Sequence, residues 1–309
     1  MTATTSPNPA ATTGSARTAV RVVRLLRALR RWAAEVGPSF ADAVEIDEVS
    51  AMVLVDAGPH APTGELLAPA MTAVWMQVAD DHVDRFTHDQ AEFDGLIQRW
   101  RSVSAGARPT PGDPLERGLA DLVRRLRTAP RYPSLFPVWR RSFGRMLDAW
   151  VFEQTTATRL ARGEPAPSIE SYLAHHHSFG LRPIVLAWWV TAGGDDLPDA
   201  LEALLAALDE IETAVRLAND LVMADRARTE PGSVDALLLG ADATWVSDRA
   251  TEHLRRGHDL LAPLIETGSP TGEALGRIGE WLVTFYLLTD ARLQGGGPGR
   301  RAAPAPIAT

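Results

Sequence analysis

The segment ADDHVD, Ala79–Asp84, ends an apolar stretch (71–78) whose hydrophobic residues recur at helical spacing. Asp80 and Asp84 are four residues apart and fall on one face of a helix, with Asp81 about 100° round. Like charges at this spacing repel, and burial raises the cost unless a cation shares the oxygens. The alternative is a solvated acidic helix end. The pattern favours a site for a hard divalent cation such as Mg²⁺, which prefers oxygen ligands and bridges carboxylates to phosphates.

The same D-D-x-x-D string occurs a second time, in a different context. This copy, Asp195–Asp199, follows two glycines and carries Pro198 where a helix begins. Proline is favoured in the first turn of a helix, and acidic side chains there complement the helix dipole and cap free amides. We therefore interpret the second copy as structural.

The composition limits where the protein works. The 309 residues are 45% hydrophobic, and no apolar run approaches the roughly 18 residues of a membrane span. No secretory signal is recognised at the start of the sequence, and cysteine is absent. These features predict a cytoplasmic protein without disulfides, thiolate metal sites or membrane spans.

The charged residues limit the chemistry further. A formal net charge of −8 argues against a general nucleic-acid-binding protein. All 31 basic residues are arginine. Schiff-base catalysis and a Walker-type phosphate loop both require lysine, so both are excluded. Any phosphate must be bound by arginine, whose planar fork suits phosphate oxygens.

Helical periodicity runs through most of the chain, and no period-2 pattern bounded by turn residues is convincing. We expect one all-α domain over residues 17–294, flanked by disordered tails at 1–16 and 295–309. The expected helices are separated by segments rich in Gly and Pro and cover residues 17–36, 39–56, 63–85, 90–104, 114–128, 134–163, 168–192, 197–230, 242–266 and 270–293.

A second polar motif, NDLVMADR, begins at Asn219, more than a hundred residues after the first. With the pair of motifs, the chain resembles the class I terpene cyclases, single-domain helical bundles around an apolar active-site cavity. The segments Arg216–Leu221 and Asp235–Gly240, and the spacing of Trp75 from Asp80, are similar to bacterial class I diterpene cyclases that act on labdane-type diphosphates.

This resemblance implies Mg²⁺ as the cofactor and an allylic isoprenoid diphosphate, of the labdane or geranylgeranyl type, as the substrate. It implies that Asp80, Asp81 and Asp84 hold metal, that Asn219 is the first ligand of the second motif, and that Asp220 supports that site. A homodimer is compatible with the resemblance. The implied reaction is ionisation of the diphosphate followed by cyclisation or rearrangement of the carbocation.

Two positions depart from the family's second motif, N-D-x-x-S/T-x-x-x-E. Met223 replaces the Ser or Thr, and Ala227 replaces the Glu. Positions 219, 223 and 227 share a helix face, but a thioether and a methyl group offer no oxygen to a hard cation. The departures leave a catalytically impaired homologue, acting as a binding or partner protein, as an alternative function. A sesquiterpene cyclase is another.

The segment HHHSFGLRP, His175–Pro183, is where a helix breaks in the family, and Gly180 would supply a carbonyl that helps to start ionisation. Glycine loosens a helix and proline removes an amide, so both residues favour a break here. Adjacent residues of an α-helix point about 100° apart, so we expect the three histidines not to share one ion.

The resemblance also suggests residues that contact the diphosphate and the hydrocarbon. The candidates for diphosphate binding are arginines: Arg182, Arg216, Arg226 and Arg292, the last on a closing C-terminal helix. Aromatic faces stabilise carbocations as they do other cations. The candidates for lining the substrate pocket are Trp75, Phe152, Phe179, Trp188, Trp189, Phe285 and Tyr286.

Overall fold

The computed structural model describes residues 9–42, 44–84, 90–227 and 234–288, and every regular element in these ranges is helical. The α-helices, in chain order, are α1 (Pro9–Val36), α2 (Pro38–Ala41), α3 (Val44–Ala57), α4 (Leu67–Asp84), α5 (Gln90–Ser104), α6 (Pro114–Arg127), α7 (Tyr132–Ala161), α8 (Ile169–Leu173), α9 (Leu181–Ala192), α10 (Leu197–Ala227), α11 (Ala243–Glu266) and α12 (Pro270–Leu288). A single-turn 3₁₀ helix, His176–Phe179, lies between α8 and α9.

Two predicted helices are divided, and one begins early. The predicted helix 168–192 is α8, the 3₁₀ helix and α9, because Gly180 adopts a left-handed φ of 75°. The predicted helix 39–56 is α2 and α3. Residues 9–16, assigned to a disordered tail, belong to α1, since Pro9 suits a first turn and alanines favour helix. The tail 295–309 lies outside the described residues.

The helices form one bundle around a continuous apolar core. α10 packs most extensively on α11 and then on α12, while α9 packs on both α7 and α4. Fully buried tryptophans anchor the centre, and Trp139 on α7 donates its indole N–H to the carbonyl of Pro183 at 3.1 Å. Within the described ranges, no helix combines the length and hydropathy that crossing a bilayer requires.

Helix starts follow the local capping residues. The Asp113 carboxylate accepts a hydrogen bond from the amide of Glu116 at 3.0 Å and begins α6, and Pro114 follows it. Asp242 caps α11 in the same way, accepting from the amide of Thr244 at 2.8 Å. Such caps satisfy amides that have no partner within the helix. The starts of α6 and α11 are therefore fixed by residues next to them in the sequence.

Candidate active site

The aspartate motif forms the last turn of α4, which ends at Asp84. The side chains of Asp80 and Asp81 are half-buried, and Asp81 accepts a hydrogen bond from the Gln77 amide at 2.9 Å. The basic residue of that turn is His82. A helix C-terminus carries negative partial charge, so acidic residues there are unfavourable without a cation. The all-oxygen donor set and its position fit a divalent metal.

The helix break at Gly180 lies beside the aspartate helix. Met76, one turn before Asp80, packs so closely on Gly180 that a Cβ at that position would overlap the Met76 methyl group. On its other side the break contacts α10, where the amide of Arg182 donates to Glu212 at 2.9 Å. The break therefore lies between α4, which carries the first motif, and α10, which carries the second.

Arg216 is the centre of a buried polar network beneath the second motif. Its guanidinium forms ion pairs with Glu153 of α7 at 2.9 Å and with Asp220 at 3.0 Å. It also donates to the Tyr172 hydroxyl at 2.6 Å, and further bonds go to the Ser178 hydroxyl and the carbonyl of residue 234. These contacts engage all of its nitrogens, so Arg216 connects α7, the 3₁₀ helix and α10. These contacts hold Arg216 within the protein, and its contact with a diphosphate stays a prediction.

Asp220 is likewise committed to the protein interior. It is 1% exposed, and its Oδ2 accepts from the Tyr172 hydroxyl at 2.6 Å and from the amide of Ala236 at 3.1 Å. Burial raises the pKa of Asp220 to about 6, while Arg216 and Tyr172 oppose the rise. Burial also raises the pKa of the Tyr172 hydroxyl well above its usual range. These contacts hold Asp220 inside the protein beside Asn219, and its role in supporting the second site stays a prediction.

The second motif offers fewer ligands than the first. Asn219 and Met223 are both half-buried on consecutive turns of α10, and the backbone of Ala227 closes that helix. Positions 219 and 223 thus lie on one face of α10. At position 223, however, a thioether stands where the family has a hydroxyl oxygen. A hard cation binds poorly to sulfur. Of the three motif positions, only 219 provides an oxygen ligand.

Arg182 has partners of its own. It is 6% exposed and donates to Asp209 at 2.5 Å and to the carbonyl of Leu205 at 3.1 Å. Burial alone would raise the pKa of Asp209, but His176 and Arg182 beside it lower that pKa strongly. Arg182 thus neutralises a carboxylate inside the bundle, and its contact with a diphosphate stays a prediction.

Two of the three histidines come together and the third points away, so the structure does not bring all three to one point. His176 and His177 lie on the 3₁₀ turn with ring centroids 4.0 Å apart, and Glu212 accepts from His177 Nδ1 at 2.9 Å. Our expectation for the three histidines assumed α-helical geometry, which the structure replaces with a tighter turn. Although burial alone would lower the pKa of His176, Asp209 and Glu212 raise it. His175 points elsewhere and stacks on Phe152, with centroids 3.9 Å apart.

The predicted pocket aromatics do not share one environment. Trp75 is fully buried among Trp100, Phe143 and Trp150, and its indole N–H donates to the carbonyl of Leu115 at 2.8 Å, so we assign it to the core. Trp188 and Trp189 are buried on α9. Phe179 and Tyr286 meet edge to face at 5.5 Å, which brings the helix break against α12.

Phe285 is on the outer side of α12. It stacks on Trp281 at 5.0 Å and lines an open cleft of about 550 Å³ that also includes Asp56 of α3 and Arg277. Three further predicted site residues fall beyond what the structure covers. The side chains of Asp84 and Arg226, and the whole of Arg292, lie outside the described residues.

The acidic partners Glu153, Asp209 and Glu212 were not predicted from the sequence. The sequence of α10 contains a pattern that could have indicated them. This long and largely buried helix carries charged residues at 209, 212, 216 and 220. Spacings of three and four residues place these on one stripe. Charges on a buried stripe require internal partners, and a stripe of this kind indicates a polar network.

Comparisons with known proteins agree with this architecture. Residues 72–235 match the family described as terpene synthase family 2, C-terminal metal binding. A relative, the ent-pimara-9(11),15-diene synthase of Streptomyces sp. (strain KO-3988), is 33% identical over 271 residues, which covers 87% of this chain and 91% of the relative.

Solved structures show the same fold at lower identity. The linalool/nerolidol synthase from Streptomyces clavuligerus, in complex with 2-fluorogeranyl diphosphate, superposes with a TM-score of 0.66 at 15% identity, covering 87% of this chain and 94% of that one. A protein from ancestral sequence reconstruction, SVS_A2, gives a TM-score of 0.69 at 18% identity and covers 86% of both chains. The predicted all-α fold class is thereby confirmed. The chain belongs to terpene synthase family 2 and is an enzyme of the terpene cyclase class.

Proposed function

We propose that the chain is a class I diterpene cyclase that ionises a labdane-type or geranylgeranyl diphosphate with Mg²⁺ and cyclises or rearranges the resulting carbocation. The observation that carries the proposal is the 33% identity, over nearly the whole of both chains, to a synthase named for a pimaradiene product. The intact aspartate motif at the end of α4 supports it. The solved structures described above are under 25% identical to this chain, so they support the fold and not the choice of substrate.

Asp80, Asp81 and Asp84 are the residues we propose to hold Mg²⁺, with Asn219 contributing from α10. When bound, the metal would act as a Lewis acid and a template for the diphosphate. The protein's own part begins with orientation. Gly180 contacts Met76 on one side and lies two residues from Ser178, to which Arg216 donates, so its backbone lies between the two motifs.

The remaining functions fall to basic and aromatic residues. Since Arg182 and Arg216 are committed to internal carboxylates, the proposal assigns the diphosphate charge to Arg226 and Arg292. Phe179 and Tyr286, in contact at the break, would shield the carbocation from water, and Trp188 is a further candidate for that role. Aromatic faces stabilise cations by about 0.5–2 kcal/mol each.

A catalytically impaired homologue is the second candidate, and the loss of oxygen ligands at Met223 and Ala227 is the observation that favours it. Such a protein would retain the fold and bind a diphosphate or a partner without turnover.

One experiment separates the two candidates. The purified chain is incubated with Mg²⁺ and, separately, with farnesyl, geranylgeranyl and copalyl-type diphosphates, and products are identified by gas chromatography with mass spectrometry. We expect a diterpene from a twenty-carbon substrate, abolished by Asp80→Ala. The matched control is Asp195→Ala in the second copy of the motif, where an exposed carboxylate pairs with Arg131. Failure to turn over any substrate supports the impaired homologue, and product from farnesyl diphosphate alone indicates a sesquiterpene cyclase.

A further inference from the structure

A second cluster of metal-binding side chains lies beside the helix break. His176, His177 and Glu212 each offer one ligand atom, and these atoms all lie within 4.8 Å of one another. Glu212 is completely buried, and the two histidine side chains are 9% and 12% exposed. A buried carboxylate facing two imidazoles is the donor set of a transition-metal site.

His176 is already oriented as a metal-binding histidine would be. Its Nδ1 lies 2.7 Å from the carbonyl of Leu173, a contact that fixes the proton on Nδ1. Its Nε2 is buried and forms no hydrogen bond with any of the described residues. A backbone carbonyl on one ring nitrogen, with the other nitrogen left to bind the metal once deprotonated, is the usual arrangement around bound zinc.

The distances around this nitrogen suit a metal ion. Nε2 of His176 lies 3.9 Å from Oε2 of Glu212 and 3.5 Å from Oδ1 of Asp209. Adjacent ligand atoms of a tetrahedral zinc site, each about 2.0–2.2 Å from the metal, are separated by comparable distances. Oδ1 of Asp209 is in turn 4.0 Å from Nε2 of His177, and the same oxygen accepts from Arg182 at 2.5 Å.

The local charge is compatible with a cation. Arg182 lies nearby, but its guanidinium pairs with Asp209 at 2.5 Å and approaches Glu212 only to 3.9 Å. With both imidazoles neutral, as metal binding requires, the two carboxylates and one guanidinium leave one net negative charge for the metal. The other oxygen of Glu212 accepts from the Arg182 amide, which orients the carboxylate at the start of α9.

We propose that His176, His177 and Glu212 bind a transition-metal ion of the Zn²⁺ type at a site separate from the aspartate motif. Imidazole nitrogen favours Zn²⁺ over Mg²⁺, which selects oxygen. Glu212 precedes Asn219 by seven residues of α10, about 10 Å along the helix axis. A metal here would fasten the 3₁₀ turn, and with it the break at Gly180, to α10.

The test is a Co²⁺ titration of the full chain, freed of any affinity tag and stripped of metal, followed by its visible absorption. We expect one Co²⁺ per chain, displaced by stoichiometric Zn²⁺ and retained in millimolar Mg²⁺. His176→Gln and His177→Gln should each weaken the affinity by at least about tenfold. Glu212→Gln is measured as well, but the carboxylate also accepts from the Arg182 amide at the start of α9, so this variant could lose affinity through a change in structure. The two histidine variants therefore carry the test. Circular dichroism establishes that each variant folds.

The matched control is His253→Gln. His253 pairs with Glu210 of the same helix bundle at 2.7 Å and is similarly shielded, yet Glu210 and His253 do not form part of a three-residue cluster in the described chain. Its Co²⁺ affinity should equal that of the unsubstituted protein, as should that of Asp80→Ala. A cobalt absorption band that persists in His176→Gln but vanishes in Asp80→Ala would assign the cobalt to the aspartate motif and overturn the proposal. The absence of any visible band in the unsubstituted protein would overturn it too. The cobalt absorption band and the Co²⁺ affinity are both measured without terpene synthesis.

Discussion

Met76 lies one helical turn before Asp80, and its methyl group occupies the space that a Cβ on Gly180 would need. Gly180 also has a left-handed φ of 75°, a conformation that costs other residues roughly 1–2 kcal/mol. Both constraints act at the point where α9 begins between the aspartate helix and α10. The position of the aspartate motif and the conformation of the break are therefore mechanically coupled.

Gly180→Ala is expected to lower the free energy of unfolding by about 2–4 kcal/mol, since backbone strain and overpacking add. It should also reduce kcat/KM by displacing α4 at Asp80. Urea unfolding and steady-state kinetics measure the two effects.

Gly163→Ala provides the control for Gly180→Ala. Gly163 has a φ of 71°, and a methyl group added to it would have no described atom within 4 Å, so only backbone strain is introduced. We expect a loss of about 1 kcal/mol with unchanged kinetics. Equal losses at the two positions would contradict the contact with Met76 as the cause.

The sequence predicted the helices and the break because their signals are local. The periodicity before Asp80, the caps at Asp113 and Asp242, and the pairing of Gly180 with Pro183 each act within a few residues. Predicted and observed bounds agree for 90–104 and differ by one residue at the start of α11.

The partners of charged residues were not predictable in the same way. Glu153 and Arg216 are 63 positions apart and meet only because α7 and α10 both pack on the 3₁₀ helix. The pairing of Arg182 with Asp209 likewise depends on how the helices bury these two side chains. Residue type indicates what chemistry is available, whereas packing decides whether it is already engaged.

Restoring the missing oxygens of the second motif should strengthen metal binding. In Met223→Thr with Ala227→Glu, we expect half-maximal activity at a several-fold lower Mg²⁺ concentration, because α10 would then present three ligands on one face. A Mg²⁺ titration of turnover measures this. The double variant Met223→Leu with Ala227→Leu alters side-chain size without adding oxygen and should not lower the requirement. An unchanged Mg²⁺ dependence in the restored variant would mean that no metal binds there or that another group already fills the position.

Arg216 should act through structure. Arg216→Lys keeps the charge but cannot bond with Glu153, Tyr172 and Ser178 at once, so we expect a loss of about 2–4 kcal/mol in unfolding free energy. Arg124→Lys, at an exposed pair with Asp121, is the control and should change stability by less than about 0.5 kcal/mol. Chemical denaturation and pyrophosphate inhibition are measured together. Normal stability with weakened pyrophosphate binding would instead make Arg216 a ligand.

Asp220 gives the stability of the fold a characteristic pH dependence. Its pKa is raised from an ordinary value of 3.8 to about 6 by burial, so between these values the folded state binds more protons than the unfolded state. The contribution of Asp220 to stability is therefore complete below about pH 4 and is lost as the pH rises through about 6. Asp220→Asn cannot lose a proton, so its stability relative to the parent should rise by up to about 3 kcal/mol across this window. Urea unfolding of both proteins from pH 4 to pH 7 measures the difference, and a constant difference would show that the buried carboxylate is ionised throughout.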